Sequence, residues 1–257
     1  MKYSKKILAA VLAVFMILTV LPVSALAQSP SSGSRQEKLI YITVALQGKF
    51  QRGKDGTLMA EVPVVVRDTD GDSSISVKEA LEQVHNRYCP NGFAVKNEKC
   101  GPVISKLWNQ PVENADFYVN NEKGFALRDK LDFYDSLYVF SEKSAVDTYT
   151  YFNKTEDQAV TFREYDVQLL SQSYDDSGRV ISVPVSNAEL YTVRPDGTWK
   201  DLHEKTDADG NASLIFREAG DIILTAKPPQ KNMVSPVLKL KVANGILSMV
   251  LGQNSLR

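Results

Sequence analysis

The pattern of hydrophobic and polar positions in the first half of the chain mixes two periods. Residues 39–46 and 58–66 are rich in β-branched side chains and predict two strands, which the turn at 48–56 joins as a hairpin. Residues 76–88 repeat apolar side chains at three- and four-residue steps, which predicts a helix with one apolar face. This order indicates an α+β domain over residues 38–142. Its remaining short strands are predicted at 103–108, 116–120 and 137–140.

The second half alternates hydrophobic and polar residues with a period of two. Short candidate strands recur about every 8–12 residues, with Gly, Pro and Asp in the turns between them. This spacing predicts an all-β sandwich over residues 158–243. The polar segment 143–157, with its run of Thr and Tyr, is predicted to be a linker, and residues 244–257 to be a tail.

The N-terminal residues 1–27 have the order of a secretory signal peptide. Three lysines form a basic start, residues 7–21 are almost wholly apolar, and Ala25-Leu26-Ala27 supplies the small residues that a signal peptidase accepts. The apolar run is shorter than the about 20 residues of a membrane span, which favours a cleaved signal peptide. The alternative is an uncleaved anchor, which would be the only expected link to the membrane. A Ser-rich leader at 28–37 should be disordered. The protein is therefore expected outside the cell, secreted or held at its surface.

Composition narrows the classes of function. The chain has 30 basic and 31 acidic side chains without a basic stripe, which gives no electrostatic case for nucleic acid binding. Its two histidines, His85 and His203, have no Cys, Ser motif or carboxylate at a recognisable catalytic spacing. We therefore predict a protein that is not an enzyme. The alternative is an enzyme of the glycosidase type, whose two catalytic carboxylates come from distant strands.

Residues 68–79 are the most informative stretch of the chain. Carboxylates occupy positions 1, 3, 5 and 12 of this window, which is the spacing of an EF-hand calcium loop. Ca²⁺ takes roughly six to eight oxygen ligands, and alternate residues of a tightly wound loop can point their oxygens inward. The predicted ligands are Asp68, Asp70, Asp72, the backbone carbonyl of Ser74, Ser76 through a water, and both carboxylate oxygens of Glu79.

This loop departs from the EF-hand pattern in two ways. Position 6 is Ser73 instead of Gly, so Ser73 must accept a positive φ, and a strand at 61–67 leads in where a helix is usual. The result is a strand–loop–helix half-motif resembling the loops of dockerins. The alternative is an Asp- and Ser-rich turn that only caps the next helix. Carboxylates packed together without a cation would repel one another, which favours calcium.

Two further sets of residues are candidates for specific roles. Cys89 and Cys100 are expected to form a disulfide in an oxidising exterior, and two free thiols are the alternative. Aromatic side chains crowd residues 108–140, and most should be core. Trp108 and Phe125 stand beside turns, so they are the candidates for a ligand surface that contacts a glycan, a peptide or a flat cofactor.

Residues 38–142 resemble the β-grasp domain found at the C-terminus of transcobalamin and in many secreted proteins of Gram-positive bacteria. The resemblance rests on the strand pair, the helix start Val77-Lys78-Glu79-Ala80-Leu81, the strand Phe117-Tyr118-Val119-Asn120 and the closing run Ser136-Leu137-Tyr138-Val139-Phe140. It implies a β-grasp fold and a Gram-positive source. In transcobalamin this domain helps to hold cobalamin, but the calcium loop replaces the turn that usually precedes the helix.

Residues 206–226 resemble the turn and strand pair of Ig-like domains in bacterial surface proteins, through the turn Thr206-Asp207-Ala208-Asp209-Gly210-Asn211-Ala212. Asp207 and Asp209 lack a third carboxylate and a closing Glu, so this turn is not expected to bind calcium. Together the two resemblances imply an α+β β-grasp-like domain followed by an all-β Ig-like sandwich. The function they favour is calcium-stabilised binding or adhesion, with an extracellular glycan, protein or small molecule as partner. The alternatives are a cobalamin-type carrier and a secreted enzyme.

Overall fold

The computed structural model describes a mostly β protein with one helix. Within the described residues, no helix is long and apolar enough to cross a membrane. The predictions for the signal peptide, most of the leader, Cys100, part of the linker and most of the tail lie outside the described residues. The described ranges are 36–99, 101–141, 148–230 and 233–245.

The first half of the chain contains nine strands and helix α1 among the described residues. The predicted helix at 76–88 is confirmed as Val77–Tyr88, and the strand pair before it is confirmed as β1 and β3. The bounds are β1 Glu37–Leu46, β2 Lys49–Phe50, β3 Val62–Arg67, α1 Val77–Tyr88, β4 Ala94–Glu98, β5 Gly101–Leu107, β6 Gln110–Pro111, β7 Ala115–Val119, β8 Glu122–Lys123 and β9 Ser136–Ser141.

The main sheet of this half is built around β1. Its order is β2-β1-β9-β7-β8, and β3 also pairs with β1. Strand β1 is antiparallel to β3 and parallel to β9. The connection between the parallel strands β1 and β9 is therefore a crossover, and it includes α1. The helix buries its predicted apolar face in the same hydrophobic core as β1, β3 and β9. Strands β4, β5 and β6 form a separate small sheet. The β-grasp assignment of this half stays a prediction.

The second half is all β in the described residues. One sheet has the order β10-β12-β13, with β16 also paired to β12, and the other has the order β11-β18-β17-β14-β15. The bounds are β10 Thr150–Phe152, β11 Glu156–Val160, β12 Glu164–Tyr174, β13 Val180–Pro184, β14 Glu189–Val193, β15 Trp199–Lys205, β16 Asn211–Ile215, β17 Gly220–Lys227 and β18 Leu238–Ala243.

These two sheets share one hydrophobic core, as expected for a sandwich. Leu169 on β12 and Leu214 on β16 lie in the same buried cluster as Leu190 on β14, Leu224 on β17 and Leu240 on β18. Alternate residues of β12, β16 and β18 are buried in this core, which explains the period of two in their sequence. The finer assignment of an Ig-like topology stays a prediction.

The predicted linker at 143–157 differs from the structure, because its described part contains β10 and the start of β11. Thr150 and Phe152 are fully buried, and β10 pairs with β12. Thr and Tyr gave this segment its polar appearance, yet both residue types favour strands where neighbours cover them. A third hydrophobic cluster joins the halves here. It contains Ala45, Tyr118, Tyr138, Phe140, Tyr149, Val234 and Val237.

Candidate metal centre

The acidic loop connects the end of β3 at Arg67 to the start of α1 at Val77. It turns sharply at two residues with a left-handed backbone, Gly71 with φ of 80° and Ser73 with φ of 65°. The prediction that Ser73 accepts a positive φ is therefore confirmed. A non-Gly residue in this region costs roughly 1–2 kcal/mol, so the surrounding contacts of the loop must hold it there.

Three predicted ligands come together in this loop. One carboxylate oxygen each from Asp68, Asp70 and Glu79 lie within 4.8 Å of one another. Two oxygens on opposite sides of a Ca²⁺ ion at roughly 2.4 Å from it would be about 4.8 Å apart, so this spacing suits a single cation. The residues Asp68 and Glu79 are 3% and 4% exposed, whereas Asp70 is exposed to solvent. The three residues could therefore hold a metal ion at the loop surface.

Asp68 organises the backbone of the loop. Its two carboxylate oxygens accept hydrogen bonds from the N–H groups of Gly71 and Ser73, at 2.7 and 2.9 Å. Asp70 accepts a bond from the N–H of Asp72 at 3.1 Å. Each carboxylate oxygen has two lone pairs, so it can accept such a bond and still coordinate a cation. The N–H groups therefore fix the directions in which these carboxylates point.

Glu79 closes the loop from the first turn of α1. Ser76 is the N-cap of the helix, and the two residues form a capping box in which Ser76 N–H and Oγ–H both donate to Glu79 Oε2 at 2.9 Å. Burial alone would raise the pKa of the Glu79 carboxyl, but the hydrogen bonds from Thr69 and Ser76 outweigh it and lower that pKa. Glu79 is therefore a carboxylate at neutral pH. Each of its oxygens already accepts two hydrogen bonds, so a cation would take the place of a hydroxyl donor of Thr69 or Ser76.

Thr69 is a loop residue whose part sequence reasoning missed. Its N–H and Oγ–H both donate to Glu79 Oε1, at 2.6 and 2.8 Å. The two bonds tie the start of the loop to its last predicted ligand. The sequence holds one signal for this role, which is the position of Thr69 between Asp68 and Asp70. A hydroxyl at this position of a tight loop can reach a carboxylate across the turn.

The remaining predicted ligands have other contacts. Asp72 is exposed and is not in the three-carboxylate group. Its Oδ1 accepts hydrogen bonds from both the N–H and the hydroxyl of Ser74. Ser74 is buried, and Ser76 uses its hydroxyl in the helix cap. The structure therefore brings together three of the four predicted carboxylates.

The two residues proposed for a ligand surface have opposite environments. Trp108 is 7% exposed, and its indole N–H donates to the carbonyl of Arg52 at 2.7 Å. This ring belongs to the core, which corrects its assignment to a surface. Phe125 is 92% exposed, so its ring is available to a partner.

Cys89 is a buried residue whose thiol accepts a hydrogen bond from the side-chain amide of Asn109 at 3.0 Å. Burial raises the pKa of this thiol, so it is protonated at neutral pH when it is unpaired. Cys100 lies outside the described residues, and the predicted disulfide stays a prediction.

His85 has both ring nitrogens occupied within the core. Its Nε2 accepts from the N–H of Trp108 at 3.3 Å, so the proton is on Nδ1, which donates to the carbonyl of Leu81 at 2.6 Å. Burial lowers the pKa of this histidine to about 4. A neutral, hydrogen-bonded ring of this kind stabilises the packing of α1.

Comparisons with known proteins identify no family for this chain. No family known from sequence matches it, and no curated protein matches it. Similar solved structures include mouse cadherin-23 EC22-24, at 12% identity over 81% of this chain and 65% of that one, with a TM-score of 0.22. Another is the N-terminal four Ig domains of Dscam1 isoform 4.4, at 10% identity over 83% and 45%, with a TM-score of 0.21. The chain thus spans less than two thirds of either structure.

Proposed function

We propose that this protein is a secreted or cell-surface binding or adhesion protein that a single Ca²⁺ ion stabilises, and that it has no catalytic activity of its own. The observation that carries the proposal is the group formed by Asp68, Asp70 and Glu79. Three carboxylates that share one small volume repel one another, and a divalent cation removes that repulsion. Oxygen ligands of this type suit Ca²⁺ or Mg²⁺, and the loop spacing favours Ca²⁺.

The role proposed for the ion is to hold the end of β3 to the start of α1. Sensor EF-hands open a pair of helices when calcium binds, whereas this loop has a strand before it and one helix after it. Extracellular calcium is about millimolar, so a site with a Kd of about 10⁻⁴ M would be mostly filled. A tenfold excess over Kd gives about 1.4 kcal/mol of stabilisation. For a chain of this size that is a Tm increase of about 4 °C.

The test is thermal unfolding of the protein with Ca²⁺ and with EDTA, together with calorimetric titration of Ca²⁺. Asp70→Asn keeps an oxygen for the N–H of Asp72 but weakens the ligand, so we expect it to remove most of the Tm increase. Asp209→Asn is the matched control, because Asp209 is an exposed aspartate in the second Asp-rich turn. The control should respond to Ca²⁺ as the wild type does. Identical wild-type melting curves and no heat of binding would refute the proposal.

The proposed partner is an extracellular glycan or protein that contacts Phe125, and the alternative is a small molecule of the cobalamin type. Absorbance of the protein purified from its host separates these two. A colourless protein whose affinity for a captured glycan or protein is lost in Phe125→Ala supports the binding role. A corrinoid band that co-purifies with the chain would instead support the carrier.

A further inference from the structure

The second half of the chain covers one face of the main sheet of the first half. Successive residues of a strand point to opposite faces of its sheet, and alternate residues of β1 and β9 belong to the core that contains α1. The residues between them form the other face, which we call the junction face. It comprises Tyr41, Thr43, Ala45, Ser136, Tyr138 and Phe140. Tyr138 and Phe140 pack there against Tyr149 and Val237 of the second half.

The carboxyl group of Glu61 is buried on the junction face. Its Oε1 accepts hydrogen bonds from the hydroxyls of Thr43 at 3.2 Å and Ser136 at 2.7 Å. The N–H of Glu61 donates to Thr43 Oγ1 at 2.9 Å, and the residue is 7% exposed. Burial raises the pKa values of the Tyr138 and Tyr149 hydroxyls, and the charge of Glu61 adds to both shifts. The carboxyl therefore acts on residues of both halves.

The charges that reach Glu61 from the second half oppose each other. Lys239 on β18 favours an ionised Glu61, whereas Glu156 on β11 disfavours it. The Lys239 ammonium is 3.0 Å from Glu156 Oε1, so the two side chains form an ion pair with no net charge. An ionised Glu61 would thus be a buried carboxylate that two hydroxyls solvate but no net positive charge compensates.

The titratable groups around Glu61 come from every element that packs against it. They are Tyr41 on β1, Tyr138 on β9, Tyr149 before β10, Glu156 on β11 and Lys239 on β18. The tyrosines are neutral near pH 7, and the ion pair keeps its charges there. Glu61 is therefore the group of this set whose charge changes near neutrality, because burial raises the pKa of its carboxyl to about 7.

We propose that Glu61 is a pH-dependent switch of the contact between the two halves, which its neutral carboxyl keeps closed and its carboxylate loosens. A buried carboxylate gains hydration when the second half separates from the junction face, whereas a neutral carboxyl gains much less. The closed contact thus binds the proton more tightly than the open one. Its stabilisation is full below about pH 4.5 and is lost as pH rises through about 7. This inference goes beyond the proposed function, because it needs no ion in the acidic loop.

A second contact between the halves does not involve Glu61. The ring of Phe50 lies 6.1 Å from the ring of Trp199, and Arg52 Nη2 donates to the carbonyl of Pro195 at 3.3 Å. We expect these residues to keep the halves joined while the contact around Tyr138 and Tyr149 opens. The switch is therefore expected to loosen the junction without dissociating the halves.

Hydrogen exchange of the full chain, followed by mass spectrometry and corrected for the intrinsic pH dependence of exchange, tests the inference. The informative peptides cover residues 148–152 and 233–238, where the N–H of Val234 donates to the carbonyl of Thr148 at 3.0 Å. Between about pH 5.5 and about pH 8.5 their corrected exchange should become up to about thirtyfold faster, for a pKa of about 7 when closed and about 4.5 when open. Peptides covering α1 and residues 165–169 should keep their corrected rates.

Three variants separate Glu61 from other causes. Glu61→Gln keeps an acceptor for both hydroxyls without a titrating group, so the pH response should disappear. Glu156→Gln leaves the positive charge of Lys239 unopposed, which lowers the pKa of Glu61, so the response should shrink and move to lower pH. A merely structural role of Glu61 would not respond to that remote charge. Glu164→Gln is the matched control, because Glu164 is exposed at the start of β12, and it should respond as the wild type does.

Four results would overturn the inference. Faster exchange in β1 and β9 alone would confine the effect of Glu61 to the first sheet. An equal rise in α1 and residues 165–169 would show that pH acts on global unfolding. A response that persists in Glu61→Gln would assign it to another group. If Glu61→Gln does not fold, Glu156→Gln decides, and a response with the same size and midpoint as in the wild type would contradict the switch.

Discussion

At the scale of single residues, Ser73 shows how the acidic loop holds an unfavourable backbone. Its φ of 65° lies in the left-handed region, where an EF-hand loop has Gly. The hydrogen bond from the N–H of Ser73 to Asp68 helps to keep this conformation. The loop therefore retains strain that a single substitution can remove.

We expect Ser73→Gly to stabilise the protein by about 1 kcal/mol, since Gly adopts a positive φ without the steric cost. The measured change would be a Tm increase of about 3 °C in the presence of Ca²⁺. Ser177→Gly is the control, because Ser177 is an exposed turn serine that does not have a positive φ. A loss of stability in Ser73→Gly as large as that in the control would contradict this account.

At the scale of secondary structure elements, Glu61 links parts of the first sheet. This buried residue precedes β3, and its Oε1 accepts from Thr43 on β1 at 3.2 Å and from Ser136 on β9 at 2.7 Å. Burial raises the pKa of its carboxyl to about 7, although both hydroxyls and Lys239 act in the opposite direction. A raised pKa means that the folded protein binds this proton more tightly than the unfolded chain does.

The stabilisation from the Glu61 proton is full below about pH 4.5 and is lost as pH rises to about 7. A shift of this size corresponds to about 3 kcal/mol. Glu61→Gln keeps the two acceptor bonds without a titrating group, so we expect it to exceed the wild type in unfolding free energy at pH 8 and to match it near pH 5. The control is Glu164→Gln, because Glu164 is an exposed residue at the start of β12. Parallel pH profiles for wild type and Glu61→Gln, measured by urea unfolding, would disprove the assignment.

At the scale of the whole molecule, the two halves have separate cores and one shared cluster. Tyr149 is 4% exposed and stacks on Tyr118 with 3.6 Å between ring centroids. The hydroxyl of Tyr138 donates to the carbonyl of Ser235 at 2.9 Å, which is a second link between the halves. Each half expressed alone would expose this apolar surface. The domain bounds 38–142 and 158–243 stay a prediction, and the isolated halves are expected to be less stable than the full chain.

Tyr149→Ala should remove the centre of the shared cluster. Replacing a buried aromatic side chain with Ala costs roughly 3–5 kcal/mol, which corresponds to a fall in Tm of about 10 °C here. We also expect the single unfolding transition to broaden or divide, because the halves lose their common packing. Tyr174→Ala is the control, since Tyr174 is 62% exposed and should change stability by less than about 0.5 kcal/mol. Equal melting temperatures for the two variants would exclude a stabilising role for the cluster.

The sequence by itself determined the features that depend on neighbours along the chain. The period of apolar residues located α1, and alternation located most strands, because each element buries one face. The spacing of Asp68, Asp70 and Glu79 predicted the acidic group, because a short loop brings close residues together whatever surrounds it. The positive φ of Ser73 followed from the same loop geometry.

Only the tertiary structure decided the features that depend on residues far apart in the chain. Trp108 could not be distinguished from Phe125 by sequence, because burial depends on which distant segment covers each ring. The strands inside the predicted linker needed β12 and the shared cluster as partners. The contact between residues 75–78 and 127–131 joins segments about fifty residues apart, and no local pattern encodes it. Local spacing therefore set the candidate metal site, and long-range packing set what that site touches.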